Sequence, residues 1–170
     1  MIPLSAAIAG ILSRDLVSLR KEVEAYPSDA ELWQPAPGTT NPGGTLAIHL
    51  AGNLQHFVGA VLGGSGYVRD RDAEFSTRDL SRTDVIARID AAIRAVEDAF
   101  TRLTDADLGR EYPVPIGKFR VETGDFLVHL VSHLAYHLGQ VDYHRRIVTG
   151  TGVTVSTVAP GRLRSAQEAA

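Results

Sequence analysis

Apolar residues recur at spacings of three and four along most of the chain, which is the pattern of amphipathic helices packed side by side. The pattern predicts four long helices. They cover residues 4–26, residues 45–62, a stretch that follows Ser81 or Thr83 and reaches Leu103, and a stretch from Thr123 to Gly150. Ser5 and Thr123 are the expected N-caps of the first and last helices. The predicted fold is therefore an all-α four-helix bundle with long loops, formed by residues 1–150.

The segments between these helices lack a strong helical pattern. Residues 34–44, QPAPGTTNPGG, form a connection longer than a bundle needs, and such a loop is expected to border a pocket. The charged segment 69–82 is interpreted as a loop, and segment 105–122 as a loop with a short hairpin. Residues 151–170 form a C-terminal extension, expected to be an extended arm or disordered.

Histidines are concentrated in the last predicted helix, which holds four of the six in the chain, at positions 129, 133, 137 and 144. Their spacings of four, four and seven place them on one broad stripe of a helix whose apolar residues make it an interior helix. The second helix has a similar polar line, formed by His49, Asn53 and His56. Buried imidazoles need partners, and either a metal ion or hydrogen bonds can supply them.

A metal site is the sharper interpretation of this pattern. If the two helices are neighbours, His49, His133 and His137 can present three neutral nitrogens to one divalent ion and leave a coordination position open. Such a set suits zinc, nickel or ferrous iron without distinguishing among them. The zinc-protease motif is absent because Leu134 follows His133, and no acidic residue lies on either histidine stripe. The chain has no cysteine, so any thiol chemistry needs an external thiol.

Two segments, LAIHLAGNLQHF and HLVSHLAYHLGQVDYHRR, resemble the DinB/YfiT-like superfamily, and the resemblance extends over about Leu4–Ile147. His49 matches the family's histidine early in the second helix, and the matches in the last helix are His133, His137, Gly139 and Gln140. The resemblance implies an up-down-down-up four-helix bundle, commonly a homodimer, that binds a divalent metal through three histidines. Characterised members include transferases and isomerases that use bacillithiol, mycothiol or glutathione.

The remaining polar residues near the predicted site have supporting roles or none. Asn53 and Gln140 lie one helical turn from predicted ligands, where each could orient an imidazole or bind substrate. His129 and His56 are interpreted as supporting or packed residues. His144 is about 10 Å along the helix from His137, too far to share the ion. Candidate residues for holding a charged cosubstrate are Lys118, Arg120 and Arg145.

The leading functional hypothesis is a metal-dependent enzyme acting on a small molecule, of the thiol S-transferase or detoxification type, with no catalytic residue assigned. The alternatives are a non-catalytic metal-binding bundle and a metal-dependent hydrolase. A net charge of −3 and the absence of a basic run argue against nucleic-acid binding. No apolar run reaches the roughly 20 residues of a membrane span, and MIPLSAAIAGIL is interpreted as helix, not signal peptide. The expected location is the cytoplasm.

Overall fold

The computed structural model describes residues 2–155 and 158–168 of the chain. Helical elements and short loops account for this part, and the four predicted long helices are all present. In chain order the helices are α1 (Leu4–Glu24), α2 (Asp29–Trp33), α3 (Gly43–Leu54, continued by a π-helical segment Gln55–Leu62), α4 (Arg71–Ser76), α5 (Arg82–Phe100), α6 (Asp105–Leu108) and α7 (Thr123–Thr149). A short 3₁₀ turn, Pro160–Arg162, lies in the C-terminal extension.

The long helices surround one apolar core. Helix α1 packs against α5 and α7, and α3 packs against the same two helices from the other side. Glu22 near the end of α1 pairs with Arg145 near the end of α7, so these two helices run in the same direction. Gly43 at the start of α3 lies against His144 near the end of α7, so α3 runs opposite to α7. Antiparallel neighbours bring the first half of α3 beside the second half of α7.

Two predicted N-caps are wrong. Ser5 lies inside α1, where its hydroxyl donates to the Asp105 carboxylate at 2.7 Å. That carboxylate also accepts the backbone N–H groups of Leu4 and Ser5, at 3.0 and 2.8 Å, and so caps α1 from a distant part of the chain. Thr123 is the first residue of α7 and not its cap. Of the two possible N-caps of α5, Ser81 and Thr83, Ser81 is the one that forms, because its side chain accepts a backbone N–H in the first turn.

The second long helix has the predicted extent but changes its hydrogen-bonding pattern halfway. From Gln55 onward it is a π-helix, and the backbone N–H of Gly63 donates to the carbonyl of Val58, five residues earlier, at 2.9 Å. This segment lies close to α5, since a Cβ added at Gly59 would be 2.8 Å from the Cβ of Ala95. A π-helical segment widens the helix and changes which side chains face the bundle, and such segments are frequent at functional sites.

Two connections contain more structure than their sequences suggest. The charged segment 69–82, predicted to be a loop, includes α4. Segment 105–122 contains α6 and the predicted short hairpin, whose two antiparallel bridges join Glu111 to Glu122 and Ile116 to Phe119. The hairpin places Tyr112 under α3, where its hydroxyl donates to a backbone carbonyl of the π-helical segment at 2.6 Å.

The prediction that α7 is an interior helix is wrong for one of its faces. Tyr136 and Tyr143 are 66% and 69% exposed there. The beginning of the C-terminal extension follows this end of the bundle, and the Arg145 side chain donates to the carbonyl of Val153 at 2.9 Å. Residues 156–157 and 169–170 of the predicted arm lie outside the described residues. Among the helices described, none combines the length and apolar character that crossing a bilayer requires.

A buried ion pair joins α1 to α7. Arg145 Nε donates to Glu22 Oε2 at 2.6 Å, and both side chains are almost completely buried. Burial raises the pKa of the Glu22 carboxyl, although Arg145 acts in the opposite direction. Arg145 also reaches Asp142 at 3.1 Å. The arginine is therefore committed to the core, and the hypothesis that it binds a charged cosubstrate is wrong.

Replacing Arg145 tests the strength of this link. The variant Arg145→Met leaves the Glu22 carboxylate buried without a cation, so we expect the free energy of unfolding to fall by about 3–5 kcal/mol. The double variant Glu22→Gln/Arg145→Met removes the stranded charge and should be more stable than Arg145→Met alone. Urea denaturation at neutral pH measures both. A loss below about 1 kcal/mol for Arg145→Met would show that the pair contributes little.

Candidate metal centre

The antiparallel contact between α3 and α7 brings three imidazoles together. His49 of α3 faces His133 and His137, which are one turn apart on α7. The Nε2 atoms of His49 and His133 are 3.3 Å apart, and the ring of His137 lies edge-on to both, with centroid distances of 5.6 and 4.7 Å. One nitrogen from each ring lies within 4.8 Å of the other two. The structure therefore brings together the three histidines that the sequence analysis selected.

A carboxylate determines which nitrogen of His49 faces the cluster. Glu74 Oε2 lies 3.0 Å from His49 Nδ1, and because a carboxylate can only accept, Nδ1 carries the hydrogen. Arg69 Nη2 is 3.3 Å from the same nitrogen, but it already donates to Glu74 Oε2 at 2.7 Å. The Nε2 lone pair of His49 is consequently directed towards His133. This arrangement of carboxylate, imidazole and open nitrogen is typical of metal-binding histidines.

Gln140 orients His137 in a similar way. Its Oε1 lies 2.6 Å from His137 Nδ1, so the amide oxygen accepts the Nδ1 hydrogen and leaves Nε2 as the donor atom. The sequence analysis gave Gln140 this role or a role in substrate binding, and the contact supports the first. Gln140 is exposed, so its amide nitrogen is also accessible from outside the bundle.

The electrostatic surroundings of His133 favour its neutral form. Burial lowers the pKa of His133 to about 4, helped by the nearby His137, His49 and His129 and by the charge of Arg69. Burial raises the pKa of the Glu74 carboxyl, but hydrogen bonds from Arg69 and His49 outweigh it, and the pKa lies below its ordinary value. At neutral pH the cluster thus combines a neutral His133 with an ionised carboxylate behind His49, which is the state that binds a cation.

Glu74 and Arg69 were missed by the sequence analysis because the helix that carries Glu74 was interpreted as a loop. Asp70 caps this helix, α4, by accepting the backbone N–H of Ala73 at 2.9 Å. Gly52 of α3 makes room for the carboxylate, since a Cβ there would be 2.2 Å from Glu74 Oε1. The sequence contains one sign that this segment packs against the bundle, which is the aromatic residue Phe75 among charged residues. In the structure, the ring centroids of Phe75 and His49 are 4.8 Å apart.

The other polar residues of the two stripes have different environments. Asn53 is buried, and its Oδ1 has no hydrogen-bond partner within the part of the chain described. His56 Nδ1 is likewise buried and unpartnered. His129 is exposed and stacks on Phe126, with ring centroids 5.9 Å apart. None of these three belongs to the cluster of ligand atoms.

His144 is a structural histidine. It is buried, its Nδ1 lies 2.8 Å from the Tyr26 hydroxyl, and its Nε2 lies 2.8 Å from the carbonyl of Gln34. Both ring nitrogens therefore have partners that join the end of α7 to α1 and to the loop after α2. The prediction that His144 does not share the metal site agrees with this position.

The cations proposed from sequence are not beside the cluster. Arg120 pairs with Glu111 on the hairpin, and Lys118 lies over the Phe119 ring at 5.4 Å. Neither lines the cavities next to the histidines. The guanidinium in contact with the site is that of Arg69, which is held by two hydrogen bonds to Glu74, both 2.7 Å long.

Two cavities flank the histidines. One, of about 420 Å³, is lined by His137, Gln140 and Tyr136 and by the loop residues 38–41, which confirms that this long loop borders a pocket. The other, of about 450 Å³, lies on the α4 side and is lined by His56, Phe57, Tyr67, Val68, Arg69 and Arg71. The first cavity reaches the clustered His137, and the second reaches the cluster only through Arg69, beside His49.

The residues present fit a divalent ion. Three imidazole nitrogens with hydrogen-bonded partners behind two of them match a tetrahedral site with one open position, and His133 is held neutral by its surroundings. The donor set suits zinc, nickel or ferrous iron. Glu74 is bound to His49 and Arg69 and is thus not a free base within this site.

The chain matches a known protein family. The family model of the DinB superfamily matches residues 12–141, a range that includes all three clustered histidines. A comparison with curated proteins found none that matches the chain.

The carboxylate behind His49 can be tested by substitution. Glu74→Gln keeps the size of the side chain but removes its charge, so His49 becomes a weaker donor, and we expect Zn²⁺ affinity to fall about 10-fold or more. Competition with a chromophoric chelator measures this affinity. The control is Asp72→Asn, which removes an exposed charge from the same helix. Equal affinities for the two variants would contradict a role for Glu74 in positioning His49.

Proposed function

We propose that this chain, which belongs to the DinB superfamily, is a metal-dependent enzyme that transfers an external thiol to a small electrophile. The observation that supports the proposal most strongly is the meeting of three imidazoles whose free nitrogens lie within 4.8 Å of one another. Two of these imidazoles have a hydrogen-bonded oxygen behind the ring, which an arrangement serving only to fill the core does not need.

A divalent ion held by these nitrogens would act as a Lewis acid that lowers the pKa of a thiol, so that a thiolate is present at neutral pH. The thiol releases its proton to solvent, its sulfur forms a bond to the electrophilic carbon, and the leaving group departs with the bonding electron pair. The chain contributes no thiol of its own, because it has no cysteine. Apolar side chains such as Leu46 and Tyr136, in the 420 Å³ cavity, offer a surface for the electrophile.

The two other hypotheses have less support. Hydrolysis needs a base for water, and the buried carboxylate closest to the cluster, Glu74, is already bound to Arg69 and His49. A non-catalytic bundle accounts for the three histidines but not for the two cavities that open beside them. The homodimer implied by the family resemblance stays a prediction, as do the choice of metal and the identity of the thiol.

Removal and restoration of the metal test the proposed activity. Protein purified without added ions should contain about one divalent ion per chain by mass spectrometry. We expect at least one of glutathione, bacillithiol and mycothiol to react with 1-chloro-2,4-dinitrobenzene in the presence of the metal-loaded protein. The rate of this reaction should be about 100-fold or more above the rate in the presence of metal-free protein. His49→Ala should lose both the ion and the acceleration.

The matched control is His129→Ala, which removes an exposed imidazole that stacks on His133 but is not among the three clustered ligands. This variant should retain the metal and the thiol-dependent rate. A stoichiometric ion that accelerates no thiol reaction would support the non-catalytic hypothesis. The whole proposal would be contradicted if the wild-type chain bound no ion and the metal content of His49→Ala were the same as that of the wild type.

A further inference from the structure

The second cavity beside the histidines, on the α4 side, has a chemistry of its own. It is lined by His56, Phe57, Tyr67, Val68, Arg69 and Arg71, and we refer to it as the arginine cleft. It reaches the metal site through Arg69, whose Nη2 is 3.3 Å from His49 Nδ1, the nitrogen turned away from the cluster. The cleft thus combines two guanidinium groups with a phenol, an imidazole and apolar walls.

Arg71 has hydrogen-bonding capacity that its surroundings do not use. Its guanidinium lies 4.9 Å over the ring of Phe75 and makes no hydrogen bond to the residues described. Phe75 in turn packs against His49, with ring centroids 4.8 Å apart, so the exposed Arg71 guanidinium lies near the site but outside it. The neighbouring carboxylate of Asp70 is committed to capping α4. Asp72 is exposed on the same helix.

Arg69 adds a second set of donors. Its Nε and Nη2 atoms donate to Glu74, and its Nη1 atom has no hydrogen bond among the described residues. The ion pair with Glu74 and the position of the guanidinium over Phe57, at 5.6 Å, hold the group rigidly. A guanidinium that is already fixed loses little conformational entropy when it binds an anion.

Two buried polar atoms without partners lie between the metal site and this cleft. They are Asn53 Oδ1, one turn beyond His49, and His56 Nδ1, a further turn along the same helix. Buried groups of this kind are rare in native proteins and call for an explanation. His56 lines the cleft, and its other ring nitrogen is the one able to bond a ligand there. His49 and His56 are about 10 Å apart along the helix axis.

We propose that the arginine cleft binds a carboxylate at the far end of the thiol whose sulfur reaches the three histidines. Arg71 and the free edge of Arg69 donate to the carboxylate, His56 or Tyr67 adds a further bond, and the connecting chain passes Asn53. The ligand class is therefore a thiol with an anionic group about 10 Å from its sulfur. This inference rests on the proposed function, because it places the two ends of one cosubstrate.

A pair of matched thiols tests the cleft on cobalt-loaded protein. We expect 8-mercaptooctanoate to bind about 10-fold more tightly than 8-mercapto-1-octanol, because only the acid forms charge-assisted hydrogen bonds in the cleft. Titration of the thiolate-to-cobalt absorption band gives both affinities. Any advantage of the shorter 3-mercaptopropionate over 3-mercapto-1-propanol should be the same in the wild-type chain and in Arg71→Gln, because its carboxylate cannot reach the cleft.

Substitution assigns the effect to Arg71. In Arg71→Gln, 8-mercaptooctanoate should bind no more tightly than 8-mercapto-1-octanol. In Arg71→Lys, which keeps the charge, part of the difference in affinity should remain. The control Arg78→Gln, which changes an exposed arginine beyond α4, should retain the whole difference. Equal binding of acid and alcohol by the wild-type chain, or an acid advantage that survives in Arg71→Gln, would overturn the inference and leave the proposed function intact.

If no thiolate-to-cobalt absorption band forms, the proposed function is contradicted. A second measurement then tests whether the cleft binds a carboxylate on its own. Octanoate is then titrated into the metal-free protein while the ring resonances of His56 are followed by NMR. Saturable shifts in the wild-type chain that are lost in Arg71→Gln would support a carboxylate site independent of the metal. Absence of shifts would overturn the cleft as well.

Discussion

The antiparallel contact between α3 and the middle of α7 is the constraint on which the site depends. It places the Nε2 atoms of His49 and His133 only 3.3 Å apart in a partly buried setting. Two nitrogen lone pairs at this distance repel each other unless a proton or a cation lies between them. Burial already lowers the pKa of His133 to about 4. His133 is therefore neutral at pH 7, and either its Nε2 hydrogen, in one tautomer, or a divalent ion can lie between the two nitrogens. Only the ion can also engage the nitrogen of His137 that lies within 4.8 Å of the other two.

The surroundings of His49 show how distant segments support this contact. Gly52 leaves space on α3, α4 delivers Glu74 into it, and Arg69 holds the carboxylate in place. The same arginine forms one wall of the cleft that we assign to an anionic group. One guanidinium thus connects the orientation of His49 with the recognition of a cosubstrate, so substitutions at Arg69 are expected to affect both properties together.

Local sequence patterns predicted most of the fold and the three histidines of the site. The four long helices follow from apolar spacing, and the pairing of His49 with His133 and His137 follows from helix periodicity and the family resemblance. Glu74 could not be found in this way, because a six-residue helix is too short to show a periodic pattern and its role depends on a glycine twenty-two residues away. The burial of Arg145 was missed for a similar reason. Its partner Glu22 belongs to another helix, and only the tertiary structure brings them together.

The central claim is that three histidines from two helices hold one ion. X-ray absorption spectroscopy on the metal-loaded protein tests it most directly, because imidazole rings give a characteristic outer-shell scattering pattern. The account predicts three imidazole nitrogens at about 2.0–2.1 Å from a zinc ion, with one further light atom. In His49→Ala, which should not retain the ion, this scattering pattern should be absent. A metal shell with fewer than three imidazoles in the wild-type chain would contradict the account.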